Sequence, residues 1–235
     1  MSTKLFKNES RGGADHGWLK THFSYSFANY YDPERMGFGA LRVVNDDWIA
    51  GGAGFPTHSH QDMEIITIPL TGALAHKDDA GGEGTVTAGM VQVMSAGTGV
   101  LHSEFNASKT DPATLFQIWI EPSVYGVAPR YQESEYKLDN AISNQMLLVG
   151  PEGKHDTWIH QDASISRLTV LAGEEYTYKL NNPQNGVYLM VITGEGVVFN
   201  HTLGERDALE IVDESEIFVE SKTQMDILCI EIPLK

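Results

Sequence analysis

Apolar and polar residues alternate, or β-branched residues cluster, in a series of short runs along the chain. These are GALRVVN, MEIITIPL, GMVQVMSA, TLFQIWIE, SRLTVLAG, VYLMVITG, ALEIVD, EIFVES and DILCIEI. A period of two marks a strand with one buried face. Turn-forming clusters such as KDDAGGEGT and NNPQNG separate the runs. Short strands with Gly-rich turns predict an all-β sandwich or barrel. Helix-like stretches are confined to DPERMGFG and part of QESEYKLDNAIS, so few short helices are expected.

The pattern repeats. IITIPLTGALAHKDDAGGEGTVTAGMVQVMSAGTGVLHSEF and YLMVITGEGVVFNHTLGERDALEIVDESEIFVES share one order of elements. Each has an apolar strand, a Gly turn, a second strand, a Gly-led strand and a final alternating strand. A tandem repeat of one β-barrel unit follows. Between the halves, about Pro129 to Asp162, the chain turns polar and reads as a connection.

The chain has 235 residues, enough for one large β domain or two small ones, and 41% of them are hydrophobic, which argues against disorder. The formal net charge of −16 repels a phosphate backbone, and no basic patch offsets it, so direct nucleic-acid binding is not expected. Cys229 has no partner for an intramolecular disulfide and lies in an apolar run, as a core residue would. The N-terminus lacks the apolar region of a secretory signal, and no run nears the about 20 residues that span a bilayer. A cytoplasmic protein without a membrane partner is expected, and its three Asn-x-Ser/Thr sequons are then chance matches.

Chemistry concentrates in two places. FPTHSHQDMEIITIP opens an apolar strand with His58 and His60. Residues i and i+2 of a strand face one side, about 6.6 Å apart. The pair either points at a common ion or sits at a solvated strand end. Downstream, SAGTGVLHSEFN sets His102 and Glu104 at the same spacing. If the two strands are neighbours, three histidines and a carboxylate converge in the interior. Burying such groups without a partner is costly. The set would suit Fe, Ni, Cu, Mn, Co or Zn, with positions left open for water, substrate or dioxygen. Glu64 and His76 share the strand parity of His58. Glu64 reads as an outer residue that holds a ligand by hydrogen bond, and His76 as a pocket rim or strand end too distant to reach the same ion. In the second half, Tyr176, Tyr178, Ile217 and Val219 occupy the corresponding places, so one metal per chain is expected. FSYSFANYY reads as packing rather than a cofactor site, and His16 and His22 receive no role. No P-loop, strand–GxGxxG–helix unit or GxSxG elbow is present.

Gly52, five residues, His58-x-His60, three residues and Glu64 follow the first cupin motif, with the next glycine one place late at Gly72. Gly99-x-x-His102-x-x-x-Asn106 follows the end of the second. Together with RGGADHGWLKTHFSYSFANYYDPERMGFGALRVVNDD, these segments resemble bacterial pirin-like proteins of the cupin superfamily. The resemblance implies a bicupin of two tandem jelly-roll domains. Residues 1–130 would be a metal-binding cupin, 131–162 a linker and 163–235 a cupin-like domain without metal. It also implies one divalent transition metal, foremost iron, on His58, His60, His102 and Glu104. The implied activity is that of a quercetin 2,3-dioxygenase, taking a flavonol and dioxygen, with Glu104 as proton acceptor. The alternative it implies is a non-catalytic, iron redox-sensing regulator that acts through protein partners. A chain whose two units pair internally is expected to be a monomer.

Overall fold

The computed structural model describes residues 2–234. In chain order its strands are β1 Ser2–Phe6, β2 Gly12–Asp15, β3 Leu19–Phe23, β4 Leu41–Ile49, β5 Gly54–His60, β6 Glu64–Thr71, β7 Ala73–Asp78, β8 Glu83–Thr87, β9 Met90–Ser95, β10 Val100–Asn106 and β11 Ala113–Ile120. They continue as β12 Arg130–Glu135, β13 Asn144–Pro151, β14 Trp158–Ile159, β15 Ser164–Val170, β16 Glu175–Lys179, β17 Gly186–Thr193, β18 Gly196–Val198, β19 His201–Leu203, β20 Ala208–Val212, β21 Glu216–Ser221 and β22 Met225–Ile232. Every alternating run of the sequence becomes a strand. Neither helix-like stretch becomes a helix. Gly37 at φ 144° and the Phe38–Leu41 bridge turn DPERMGFG back on itself. The other stretch begins inside β12, which pairs with β9 along the edge of a sheet. Among the described residues, helical structure is limited to one 3-10 turn, Asn8–Ser10. No described helix is long and apolar enough to cross a membrane.

The strands form four sheets rather than two closed barrels. A seven-stranded sheet, β12-β9-β6-β11-β4-β3-β2, faces the four-stranded β5-β10-β7-β8. A second pair, β1-β20-β17-β22-β15-β13-β14 and β16-β21-β18-β19, repeats the arrangement. Each pair is a jelly roll of the cupin type. Residues 131–162 contribute to both, through β12 in the first large sheet and through β13 and β14 in the second. The N-terminal strand β1 pairs with β20 of the second unit.

The apolar cores are distributed unequally. The largest lies between the two seven-stranded sheets, where Ile66, Phe116 and Ile118 of one meet Tyr188, Met190 and Ile230 of the other. The interior of the second unit is a continuous core around Tyr178, Leu189, Val219 and Cys229. The interior of the first unit holds only two small clusters, around Leu115 and around Met94. Large β-branched and aromatic residues therefore weld the units together, while the inside of the first unit is left open for other groups. Cys229 is fully buried, and burial pushes its thiol pKa up. A thiol reagent should modify it only after unfolding, and rapid labelling of the native protein would show that this strand opens.

Candidate metal centre and cavity

The site is built on the antiparallel pair β5–β10. Their register sets His58 opposite His102 and His60 opposite Val100. Gly99, at φ 127° in the turn before β10, adopts a conformation that favours glycine and lets the strand start there. The donor nitrogens of His58, His60 and His102 lie within 4.8 Å of one another. His58 Nε2 and His102 Nε2 are 3.0 Å apart.

The surrounding hydrogen bonds assign the tautomers. His58 Nδ1 donates to the Pro56 carbonyl at 2.8 Å, which leaves Nε2 as a lone pair. Asp78 Oδ1 accepts from the backbone N–H groups of Ala80 and Gly82, and its Oδ2 faces His76 Nε2 at 3.0 Å. His76 therefore donates from Nε2 and presents a lone pair at Nδ1. That atom lies 3.3 Å from His102 Nδ1, which becomes the donor. His102 Nε2 is then also a lone pair. Burial and the neighbouring rings push the His102 pKa down to about 3, and burial and His58 take His60 to about 4, so both rings are neutral. Two lone pairs aimed at each other across 3.0 Å repel, unless a proton or a metal cation lies between them. Two nitrogens each about 2.0–2.1 Å from one ion, roughly at right angles, would stand about that far apart. Ligand histidines commonly donate their second ring N–H in this manner. The donor set thus fits a divalent transition metal.

Glu104 lies two residues past His102, beyond a register shift in β10, and its cross-strand neighbour on β7 is His76. Its carboxylate falls within 4.8 Å of donor atoms of His76 and His102, and it is not part of the tight three-histidine group. Gln117 Nε2 holds Glu104 Oε2 at 3.0 Å, and Thr67 Oγ1 in turn donates to Gln117 Oε1 at 3.0 Å. Oε1 has no well-formed hydrogen bond, although the Gln92 amide lies close enough to favour the ionised form. Burial, then the nearby Asp47, pushes the Glu104 carboxyl up to about 7.

His76 is closer to this cluster than strand spacing implies. The chain leaves β5 at His60 and turns through Asp62 at φ 47° into β6 in the facing sheet. It returns as β7 on the other side of β10. His76 is buried and stacks on Tyr131, with ring centroids 4.6 Å apart. The same turn separates Glu64 from the site. Parity counted from His58 does not survive a change of sheet. Glu64 points to the opposite face of β6, the side of Ile66 and Ile68, where Ser95 Oγ donates to it at 2.7 Å. It is buried there, near Arg130 and His160, and does not line the cavity. In the second unit, Tyr178 sits opposite Ile217 and Tyr176 opposite Val219, and the inward members pack into the apolar core.

A cavity of about 520 Å³ opens beside the histidines, between the two sheets of the first unit. His58, His60 and Glu104 line one side. Trp18, Phe23, Phe27, Phe55 and Trp119 supply aromatic walls, so part of FSYSFANYY faces this space and is not only packing. His16, without a role on sequence grounds, also lines it. The opposite wall carries Thr21, Asn45, Asp47 and Gln117, all buried. Sequence reasoning missed these four. The available signal was a polar residue at an inward place of a strand with an apolar face, Gln117 in TLFQIWI and Asn45 and Asp47 in LRVVNDDWI.

Residues 5–120 match the family model described as Pirin, and residues 147–232 match the one described as Quercetinase C-terminal cupin domain. A quercetin 2,3-dioxygenase of Escherichia coli is 39% identical over 230 residues, covering 97% of this chain and 98% of that protein. A pirin-like protein of Caulobacter vibrioides is 42% identical over 222 residues, covering 94% and 95%. The crystal structure of the bacterial pirin YhhW from Escherichia coli in complex with nickel(II) superposes with a TM-score of 0.92 at 38% identity, covering 100% of each chain. At that identity over nearly the whole of both chains, the protein belongs to the pirin family, with two cupin domains in tandem.

Proposed function

We propose that the protein is a metal-dependent dioxygenase that opens the central ring of flavonols at a centre made by His58, His60, His102 and Glu104. In that reaction both atoms of dioxygen enter the cleaved ring and one ring carbon leaves as carbon monoxide. The observation that carries the proposal is the cavity. Its volume of about 520 Å³ lies within the about 300–1,000 Å³ of small-molecule sites, and it touches His58, His60 and Glu104 directly. A regulator that acts only through its metal needs no such space. The quercetin dioxygenase name of the Escherichia coli relative supports the same reading.

A bound divalent metal would supply Lewis acidity to a ring hydroxyl. The protein's own groups do the rest. The aromatic walls hold a planar substrate and keep water from its ring. Glu104, with a carboxyl pushed up to about 7, can take the hydroxyl proton at Oε1 while Gln117 holds Oε2. His58 is fixed by Pro56, and His102 by His76 and Asp78, so neither ring needs to reorient.

Protein loaded separately with Fe(II), Ni(II), Cu(II), Co(II), Mn(II) and Zn(II) should be mixed with quercetin in air. Loss of flavonol absorbance matched by oxygen uptake is expected with at least one ion and not with His58→Ala. Glu104→Gln should lose turnover about 10²–10⁴-fold, the range of a general base, and lose less metal than activity. Equal loss of both would make Glu104 a structural ligand only. No turnover with any ion, in protein shown to hold metal, would overturn the dioxygenase reading.

A further inference from the structure

We propose that Asn45 and Asp47, on the cavity wall that faces the histidines, form a hydroxyl-binding subsite that selects aromatic substrates hydroxylated on the ring away from the metal centre. The proposal deepens the flavonol reading, and it stands on the chemistry of that wall.

Both residues lie on the inward face of β4, between Val43 and Ile49. Asn45 pairs with Phe23 on β3 and with Gln117 on β11. Gln117 pairs with Thr67, and Thr67 with Gln92. A row of polar side chains therefore crosses the large sheet at one level, on the face where the second unit has an apolar core. Most of the row is accounted for. Thr67 and Gln117 bond to each other and onward to Glu104, and Gln92 lies beside Glu104 and accepts from Tyr131, although its Nε2 has no partner and it does not line the cavity. Asn45 is not accounted for. It is 4% exposed, it lines the cavity, and its Oδ1 is shielded with no hydrogen-bond partner. Asp47, also 4% exposed, borders the same space, with Thr21 as its cross-strand neighbour and Asp46, Arg11 and Glu104 near enough to act on it or feel its charge. Buried polar atoms are ordinarily satisfied, and one without a partner beside a cavity is suited to a ligand hydroxyl that reaches it.

The wall also defines the ligand's chemistry. Aromatic side chains on either side suit a flat ring. An amide oxygen and a carboxyl accept hydrogen bonds from hydroxyl donors. A carboxylated ligand would meet the carboxyl groups of Asp47 and Glu104, both of which line the cavity. Facing sheets pack about 10 Å apart. A two-ring molecule that touches the histidines on one sheet therefore reaches β4 on the other.

The test is a ligand-by-residue cycle in binding, kept separate from turnover. Metal-loaded protein under nitrogen should be titrated with quercetin and with galangin, the flavonol that lacks both hydroxyls on the outer ring. Wild type should bind quercetin about tenfold more tightly, the scale of one or two net hydrogen bonds. In Asn45→Leu and Asp47→Ala, each of which removes the side-chain acceptor, the gap should shrink toward onefold, with metal content and circular dichroism unchanged. Equal binding of both flavonols by wild type would overturn the subsite, whatever the variants do. So would a gap that persists in both variants. A tenfold gap in a protein that never turns over quercetin would uphold the subsite and refute the dioxygenase. Failure of wild type to bind either flavonol would overturn both.

Discussion

Alanine at His102 is expected to remove the metal and the activity together, and to do so more completely than any other single change. His102 belongs to both groups of donors that lie within 4.8 Å, the one with His58 and His60 and the one with His76 and Glu104. Its loss also leaves His76 Nδ1 without a partner. Metal affinity should fall by more than about 100-fold, since changes to residues that merely support a ligand already cost about 10–100-fold. His76→Ala should fall within that supporting range, because His102 would keep its place on β10 but lose the acceptor that fixes its tautomer. His76→Gln, whose side-chain carbonyl can accept from His102 Nδ1, should recover most of the loss. Metal retained per chain after dialysis against a graded chelator reads all three variants. Wild-type retention in His102→Ala would show that the metal sits elsewhere. Wild-type retention in His76→Ala would reduce His76 to its stack on Tyr131.

The second large effect concerns stability. Phe116 is fully buried on β11 and faces the core between the two large sheets. Phe116→Ala should cost about 3–5 kcal/mol. For a chain of this size that corresponds to roughly 6–20 °C in Tm. Because the lost contacts are shared, both units should fail at once. In a Trp158→Phe background, which removes the tryptophan of the second unit, fluorescence reports on Trp18, Trp48 and Trp119 in the first unit, and thiol labelling reports on Cys229 in the second. Their midpoints should coincide with and without the Phe116→Ala change. Separated midpoints would mean that the shared core does not couple the units.

How far the sequence could be read follows from which faces are dry. The strands at the centres of the two large sheets, such as β6, β11, β17 and β22, are apolar on at least one face and stand out as alternating or continuous runs. The edge strand β12 is half-solvated and reads as a polar linker, although it pairs with β9 along its whole length. The candidate ligands were legible because His58-x-His60 and His102-x-Glu104 keep their spacing within single strands. Glu64 and His76 were not, because spacing along the chain loses its meaning where the chain changes sheet at Asp62. Asn45 and Asp47 escaped notice because the polar run Asn45-Asp46-Asp47 looks exposed. Only the facing sheet turns that side of β4 inward.

The large N-terminal sheet uses its two faces for different purposes. On β11, Phe116, Ile118 and Ile120 hold the two halves of the molecule together, while Leu115, Gln117 and Trp119 alternate with them and face the cavity or the small clusters beside it. Adhesion and recognition are thus written on opposite sides of one ribbon. Changes on the inner side alter what the cavity accepts and leave the outer glue intact. A lineage could therefore exchange substrates through a handful of inward substitutions without first gaining spare stability, and a laboratory library restricted to those places should yield mostly folded proteins.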